Sequence, residues 1–259
     1  MPDLPTAWDE SWLWLAGSLL VAILWANLKW FFQTPRQSAL GDFAARLAAW
    51  RFSSALFQFL RLLYYVGVPF AALVWRGVLV RRYLGLADGQ SGSLLDWVHG
   101  VGWAAALGVG AWTLLALGWW SYRRAVAAAG EGGTVVAIDA PPWALLFEAI
   151  FYEAHWAFYR CVPIVALGYD AYWGTWLGLA LVAVEAVLNP AWRKGFFDPQ
   201  VAPRQLMRGA LAVTSSVLFV MIGAGNLWLA VAVHWGVSWG LVVLARAIPV
   251  PSTLGTELT

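Results

Sequence analysis

One segment places several ionisable side chains in a run that is otherwise apolar and aromatic. Residues 147–160 have the sequence FEAIFYEAHWAFYR. A helix turns about 100° per residue, so four of these side chains share one narrow face. These are Glu148, Tyr152, His155 and Tyr159. A carboxyl group, an imidazole and two phenols on one face are the groups that proton transfer requires.

A second face of the same helix lies about a third of a turn away and carries Glu153, Trp156 and Arg160. Glu153 and Arg160 are two turns apart and can share a partner helix. We predict that they form a structural ion pair, because a buried pair neutralises itself. Glu148 has a plainer interpretation as a solvated residue near the membrane surface.

Two later apolar segments carry matching polar groups. Glu185 is followed by Asn189, and His234 by Ser238, each four residues on and therefore on the same helix face. A lone carboxylate in so apolar a run needs a partner or a proton, and Arg61 is a candidate partner unless it snorkels to the surface. Small-residue pairs that allow close helix approach occur in both segments: Gly174 with Gly178, and Gly236 with Gly240.

The composition identifies the elements that must position these groups. Of 259 residues, 61% are hydrophobic and only 12% are charged, and the mean hydropathy is +0.67. These values exclude an ordinary soluble domain and a disordered chain. They indicate an all-α polytopic membrane protein with wide tryptophan belts and no nucleic-acid partner. The single cysteine, Cys161, allows neither an internal disulfide nor a cysteine metal cluster.

Hydropathy predicts about seven transmembrane helices in one membrane domain, residues 1–259. The predicted spans are 12–32, 53–75, 95–120, 143–168, 172–188, 206–224 and 227–245. Residues 33–51 have the pattern of an amphipathic helix in the membrane interface. Residues 121–142 are the most loop-like part of the chain. They separate the N-terminal helices, 12–142, from the C-terminal helices, 143–245.

The basic residues predict the orientation of this bundle. With the N-terminus outside, eleven of the 16 lysines and arginines fall on the inner side, three (Arg76, Arg81 and Arg82) fall outside, and Arg61 and Arg160 lie within spans. This bias favours a cytoplasmic C-terminus. The first apolar run lacks a basic leader, so we expect an anchor and not a cleaved signal peptide. The expected location is a bacterial plasma membrane.

The C-terminal helices resemble the CAAX-protease and bacteriocin-processing (CPBP, or Abi) family of intramembrane proteases. That family carries the motifs Glu-Glu-x-x-x-Arg, Phe-x-x-x-His and His-x-x-x-Asn on three helices. Residues 225–238 resemble the last motif, with Ser238 where Asn is expected. Aligning Phe158-Tyr159-Arg160 on the first motif puts His155 and Trp156 at the two Glu positions. Residues 181–185 overlay the second motif, with Glu185 in place of His.

The resemblance implies an intramembrane endopeptidase in which a Glu activates water and the histidines complete the site. Here the set His155, Glu185 and His234 keeps the family's composition with two positions exchanged. Such a set can polarise a water, either as base and oxyanion donors or by holding a divalent metal. Glu153, Ser238 and Asn189 are further candidate catalytic residues. We expect His155, Glu185 and His234 to converge.

Two functional hypotheses follow. In the first, the protein cleaves a membrane-associated protein or peptide. In the second, it is a relative that has lost catalysis and binds a partner protein, a lipid or a pigment through the same bundle, with His155 and His234 as possible axial ligands. A transporter is a weaker third hypothesis, because no inverted repeat is visible in the sequence.

Overall fold

The structure is a computed structural model, and it describes residues 4–33, 39–75, 77, 79–86, 93–128, 140–198, 202–223 and 226–247. This part of the chain contains helices and turns and no β-strand. The predicted all-α bundle is confirmed.

Six helical segments are long and apolar enough to cross a membrane. The first is α1 (Leu4–Gln33). The second combines α3 (Ser53–Leu62), a π-helical turn (Leu63–Gly67) and α4 (Val68–Trp75). The other four are α5 (Leu94–Ala128), α7 (Ala171–Leu188), α9 (Ala202–Ile222) and α10 (Leu227–Ala247). The chain is therefore a polytopic membrane protein.

The predicted fourth span, 143–168, corresponds to α6 (Pro142–Ala166), which is 25 residues long and contains Glu148, Glu153 and Arg160. It is not one of the six apolar segments. It packs against α7 and α10, and its side chains from Phe151 onward are mostly buried. Charged side chains can remain in a transmembrane helix when they face the bundle interior. The central position of α6 explains how a helix with this composition fits among apolar neighbours.

The π-helical turn interrupts the second span two residues before Pro69. A proline has no N–H to donate within a helix, and local widening of the turn is one way to accommodate it. The turn buries Tyr64 and Tyr65 against α6. The second span is therefore broken where it meets the central helix.

One end of the bundle, called here the basic end, gathers the last turns of α1, α5 and α10. The Arg123 guanidinium donates to the Ala245 carbonyl at 3.3 Å, which joins α5 to α10. Lys194 lies 4.9 Å from the centre of the Trp30 ring at the end of α1. Lys194 belongs to α8 (Pro190–Phe196), a short helix within the predicted loop that follows span 5.

The opposite end joins the first turn of α10 to the segment after α4. The Leu227 N–H donates to the Gly85 carbonyl at 2.9 Å. The Tyr83 ring stacks on Tyr169, after α6, at 5.4 Å. Together with α6, the six apolar segments cross between these two ends seven times, as predicted. Which end faces the cytoplasm stays a prediction.

The predicted interfacial helix corresponds to α2 (Ala39–Ala49), which is amphipathic. Within the predicted loop-like segment, α5 continues to Ala128. This helix extends beyond the predicted end at residue 120 because the run after Trp120 keeps helix-forming alanines and arginines. Residues 129–139 lie outside the described part of the chain.

The two predicted small-residue pairs have different environments. In α7, a Cβ on Gly178 would lie 2.7 Å from Cα of Arg160, and a Cβ on Gly174 would lie 2.5 Å from Cα of Ile164. Both glycines therefore let the α6 and α7 backbones touch. In α10, a Cβ on Gly236 would meet no described atom of another helix within 4 Å, and a Cβ on Gly240 would lie against the Trp112 side chain. The small-residue pair in α10 mediates no comparable backbone contact.

Candidate active site

A buried carboxylate–imidazole pair links α6 to α10. Oε1 of Glu153 lies 3.0 Å from Nδ1 of His234. Glu153 is fully buried and His234 is 5% exposed. Both side chains therefore lie inside the helical bundle.

Arg160 and a serine of α9 compensate the Glu153 charge. Oε2 of Glu153 accepts from the Ser215 hydroxyl and lies 3.6 Å from Nη2 of Arg160. Nη1 of Arg160 donates to Ser215 at 2.9 Å. The predicted Glu153–Arg160 ion pair is present, and both residues share α9 as their partner helix. A guanidinium stays protonated in proteins, so we assign Glu153 as the ionised partner.

This charge assignment sets the tautomer of His234. An ionised carboxylate only accepts hydrogen bonds, so Nδ1 of His234 carries the proton that lies against Glu153. In the neutral imidazole, Nε2 then keeps its lone pair. Within the described residues, no hydrogen bond is formed to Nε2 of His234. The pair therefore presents a basic nitrogen that is held in orientation by a carboxylate.

Two aromatic rings of α6 fix the plane of the imidazole. The Tyr152 ring stacks on His234 with centroids 6.1 Å apart and planes at 13°. The Trp156 ring stacks at 5.5 Å and 21°. These contacts restrict rotation of the His234 imidazole about its Cβ–Cγ bond.

His234 lines a cavity of about 140 Å³, which has room for several water molecules. The lining extends from residues near the first turns of α6 and α9 into the bundle interior. It consists of Ala140, Leu145, Glu148, Tyr152, Arg204, Met207, Arg208, His234 and Ser238. A polar cavity beside a basic imidazole nitrogen is an arrangement suited to activating water.

Glu148 forms an ion pair on the wall of this cavity. Its Oε1 lies 3.0 Å from Nη2 of Arg208 and 3.8 Å from Nη2 of Arg61 on α3. Both guanidinium groups also lie over the Tyr152 ring, at 5.1 and 5.4 Å. Glu148 is therefore paired, and Arg61 is its partner in addition to Arg208.

A second carboxylate–imidazole pair lies between α6 and α7. Nε2 of His155 is 2.7 Å from Oε2 of Glu185 and 3.2 Å from the Tyr64 hydroxyl. The Tyr64 hydroxyl also lies 3.4 Å from the Tyr159 hydroxyl and 3.5 Å from the Ser18 hydroxyl. Nδ1 of His155 is buried without a hydrogen-bond partner. In this pair, Nε2 of His155 contacts both Glu185 and Tyr64, and Nδ1 is enclosed by the protein.

His155, Glu185 and His234 do not converge, contrary to expectation. They belong to two separate carboxylate–imidazole pairs. His155 contacts Glu185, whereas His234 contacts Glu153. Residues 153 and 155 point to nearly opposite sides of α6, because two residues correspond to about 200° of rotation. Among the described residues, no group of three His, Cys, Asp or Glu side chains could hold a metal ion.

The other candidate residues have separate roles. Asn189 caps α8, where its side-chain oxygen accepts from the backbone N–H groups of Ala191 and Trp192. This capping bond holds the side chain against the α8 backbone and away from Glu185. Ser238 lines the cavity together with His234, as their i, i+4 spacing predicts.

Sequence reasoning missed Ser215, Arg208 and Tyr64. Ser215 and Arg208 are polar residues in the predicted sixth span. Polar residues within spans are candidate functional residues, and this rule, which selected Glu185, could have selected them as well. Tyr64 gives no such signal, because tyrosine is common throughout this chain.

No protein-family model, curated protein or solved structure matches this chain.

Proposed function

We propose that this protein is an intramembrane endopeptidase that hydrolyses a peptide bond of a membrane-associated protein or peptide. One observation carries the proposal: Glu153 holds Nδ1 of His234, and His234 lines a polar cavity that also contains Ser238 and Arg208. The resemblance of residues 225–238 to the last motif of the CPBP proteases supports the same reaction class.

The reaction follows from the tautomer of His234. Nε2 takes a proton from a cavity water, and the resulting hydroxide adds to the amide carbonyl carbon. The tetrahedral intermediate collapses, the C–N bond breaks, and the imidazolium returns its proton to the leaving nitrogen. The net change is one amide plus one water to one carboxylic acid and one amine. No other reactant is required.

Other residues around the cavity support this step. The Glu153 carboxylate stabilises the imidazolium that forms, as the buried acid does in a serine-protease triad. The Arg208 guanidinium and the Ser238 hydroxyl line the same cavity and can donate to the oxyanion. His155 and Glu185 are not among the lining residues, and we assign them a structural role.

The three histidines provide a matched test. His234→Gln removes the base, and His155→Gln alters the second pair. His99→Gln changes an exposed histidine whose Nε2 accepts a hydrogen bond from the Trp103 indole. Membranes containing each full-length variant are incubated in H₂¹⁸O, and new peptide C-termini are identified by mass spectrometry. We expect ¹⁸O-labelled termini with the wild type and His99→Gln, and a loss of roughly 10²–10⁴-fold with His234→Gln.

Equal labelling by His234→Gln and His99→Gln would falsify the proposal. If the folded wild type yields no labelled termini from membranes or a library of membrane peptides, the non-catalytic hypothesis replaces it. For the pigment version of that hypothesis, His155 is a poor ligand because its Nε2 bonds Glu185 and Tyr64. An absorption spectrum of the purified protein tests that version directly.

In this proposal the cavity faces the cytoplasm of a bacterial plasma membrane, with the N-terminus outside. The support is the bias of lysine and arginine towards the basic end. Reporter fusions after Leu86 and after Ala247 check this orientation. The first fusion should report an outside location and the second a cytoplasmic one, and the reverse result would refute it.

A further inference from the structure

Two guanidinium groups contact the carboxylate of Glu148 near the basic end, and a lysine interacts electrostatically with all three groups. Arg208 and Arg61 both contact Oε1 of Glu148. Lys29 of α1 lies within electrostatic range of both arginines and of Glu148. Lys29 forms no ion pair within the described residues. Lys29, Arg61 and Arg208, called here the cationic cluster, therefore carry two positive charges more than Glu148 neutralises.

The members of the cluster come from three helices but lie at similar depth. Lys29 is four residues from the end of α1, Arg208 is six from the start of α9, and Arg61 is eight from the start of α3. These offsets correspond to about 6 to 12 Å along a helix. All three residues therefore lie near the basic end of the bundle.

The cluster is also accessible. The Arg61 side chain is 21% exposed and the Arg208 side chain 36% exposed, and Lys29 is exposed. Aromatic rings of Tyr65, Phe151 and Tyr152 lie beneath the Arg61 guanidinium. These contacts fix the direction of the guanidinium while part of it remains reachable from the bilayer.

We infer that the cationic cluster binds the phosphate group of an anionic membrane lipid. A guanidinium donates paired hydrogen bonds to phosphate, and a lysine adds a point charge. Basic pockets between transmembrane helices at a positively charged end are a recognised type of lipid headgroup site. Arg208 and Glu148 also line the cavity of the proposed peptidase, whereas Lys29 and Arg61 do not. Variants of Lys29 and Arg61 therefore test lipid binding separately from peptidase activity.

The test measures retained lipid on the purified full-length protein by native mass spectrometry. The protein is equilibrated in micelles with equal amounts of phosphatidylglycerol and phosphatidylcholine. The double variant Lys29→Gln with Arg61→Gln leaves the Arg208–Glu148 ion pair in place. Arg124→Gln is the control, because Arg124 is an exposed arginine in the last turns of α5 and makes the same charge change.

We expect the wild type and Arg124→Gln to retain phosphatidylglycerol preferentially. The single variant Lys29→Gln should lose about fivefold in this preference, and the double variant about tenfold or more. Lys29→Gln keeps the test informative if loss of Arg61 prevents folding, because Lys29 makes no ion pair. Equal preference in Lys29→Gln and the control overturns the inference. Displacement of the lipid by millimolar inorganic phosphate overturns the lipid as the ligand and assigns the site to a free anion.

Discussion

The two carboxylate–imidazole pairs on opposite sides of α6 use the same residue types and differ in what surrounds them. In the Glu153–His234 pair, the carboxylate also meets Arg160 and Ser215, and no described residue bonds the distal imidazole nitrogen. In the His155–Glu185 pair, no arginine among the described residues pairs with the carboxylate, and the distal nitrogen is enclosed.

This difference shows that the neighbours of a buried pair decide its chemistry. Arg160 keeps Glu153 ionised, which fixes the proton of His234 on Nδ1 and leaves Nε2 basic. The Tyr64 hydroxyl shares Nε2 of His155 with Glu185, so the bonded nitrogen of that imidazole is fully used. The first pair is arranged for proton transfer, and the second joins three helices.

The largest expected effect is on peptidase activity, and it distinguishes Glu153 from Glu185. Glu153→Gln keeps the shape of the side chain but can donate to Nδ1 of His234, which favours the wrong tautomer. We expect a loss of roughly 10²–10⁴-fold in labelled C-termini. Glu185→Gln should leave the yield at the level of His99→Gln. A result in which Glu185→Gln is the inactive variant would reverse the assignment of the two pairs.

The next largest effect is on stability, and it distinguishes the Glu153–His234 pair from the His155–Glu185 pair. Glu153→Ala leaves the buried Arg160 guanidinium without a carboxylate to balance its charge, which we expect to cost about 3–5 kcal/mol. Glu185→Ala removes the carboxylate that contacts Nε2 of His155, at a cost of about 1–3 kcal/mol. Unfolding in mixed detergent micelles measures both. Adding Arg160→Met to Glu153→Ala should recover part of the loss, and no recovery would show that the charge is not its cause.

A smaller effect concerns the close backbone contact between α6 and α7. Gly178→Ala places a methyl group against the Arg160 backbone and must separate α6 from α7, at an expected cost of about 1–3 kcal/mol. Gly236→Ala is the matched control, because a Cβ there meets no atom within 4 Å. The same unfolding experiment compares them. Equal stability of the two variants would mean that α7 moves freely away from α6.

The smallest effect concerns the Tyr64 hydroxyl, which contacts Ser18, His155 and Tyr159. Tyr64→Phe should lower the unfolding free energy by about 0.6–1.7 kcal/mol, the range for hydrogen bonds within membranes. The control is Tyr152→Phe, because no hydrogen bond to the Tyr152 hydroxyl occurs among the described residues. A larger loss in Tyr152→Phe would contradict the assigned hydrogen bonds.

Much of the fold follows from the sequence alone. Hydropathy predicts the bundle, and the angular positions of residues 148–160 predict both polar faces of α6 and the Glu153–Arg160 pair. The same angles separate Glu153 from His155. The sequence does not say which neighbouring helix lies on which side of α6. That depends on packing over the whole bundle, so the partners of Glu153 and His155 could not be assigned correctly beforehand.

The π-helical turn at Leu63–Gly67 has a consequence for tolerated changes in chain length. A π turn holds one residue more than an α turn, so the two halves of the second span differ in helical phase. Because of this offset, the consecutive rings of Tyr64 and Tyr65 both reach His155, with centroids 5.0 and 4.6 Å away. Deleting one residue there would restore a regular α-helix and rotate one half against the other by about 100°. One of the two tyrosines would then face lipid. The extra residue of the π turn is therefore required for both rings to contact His155.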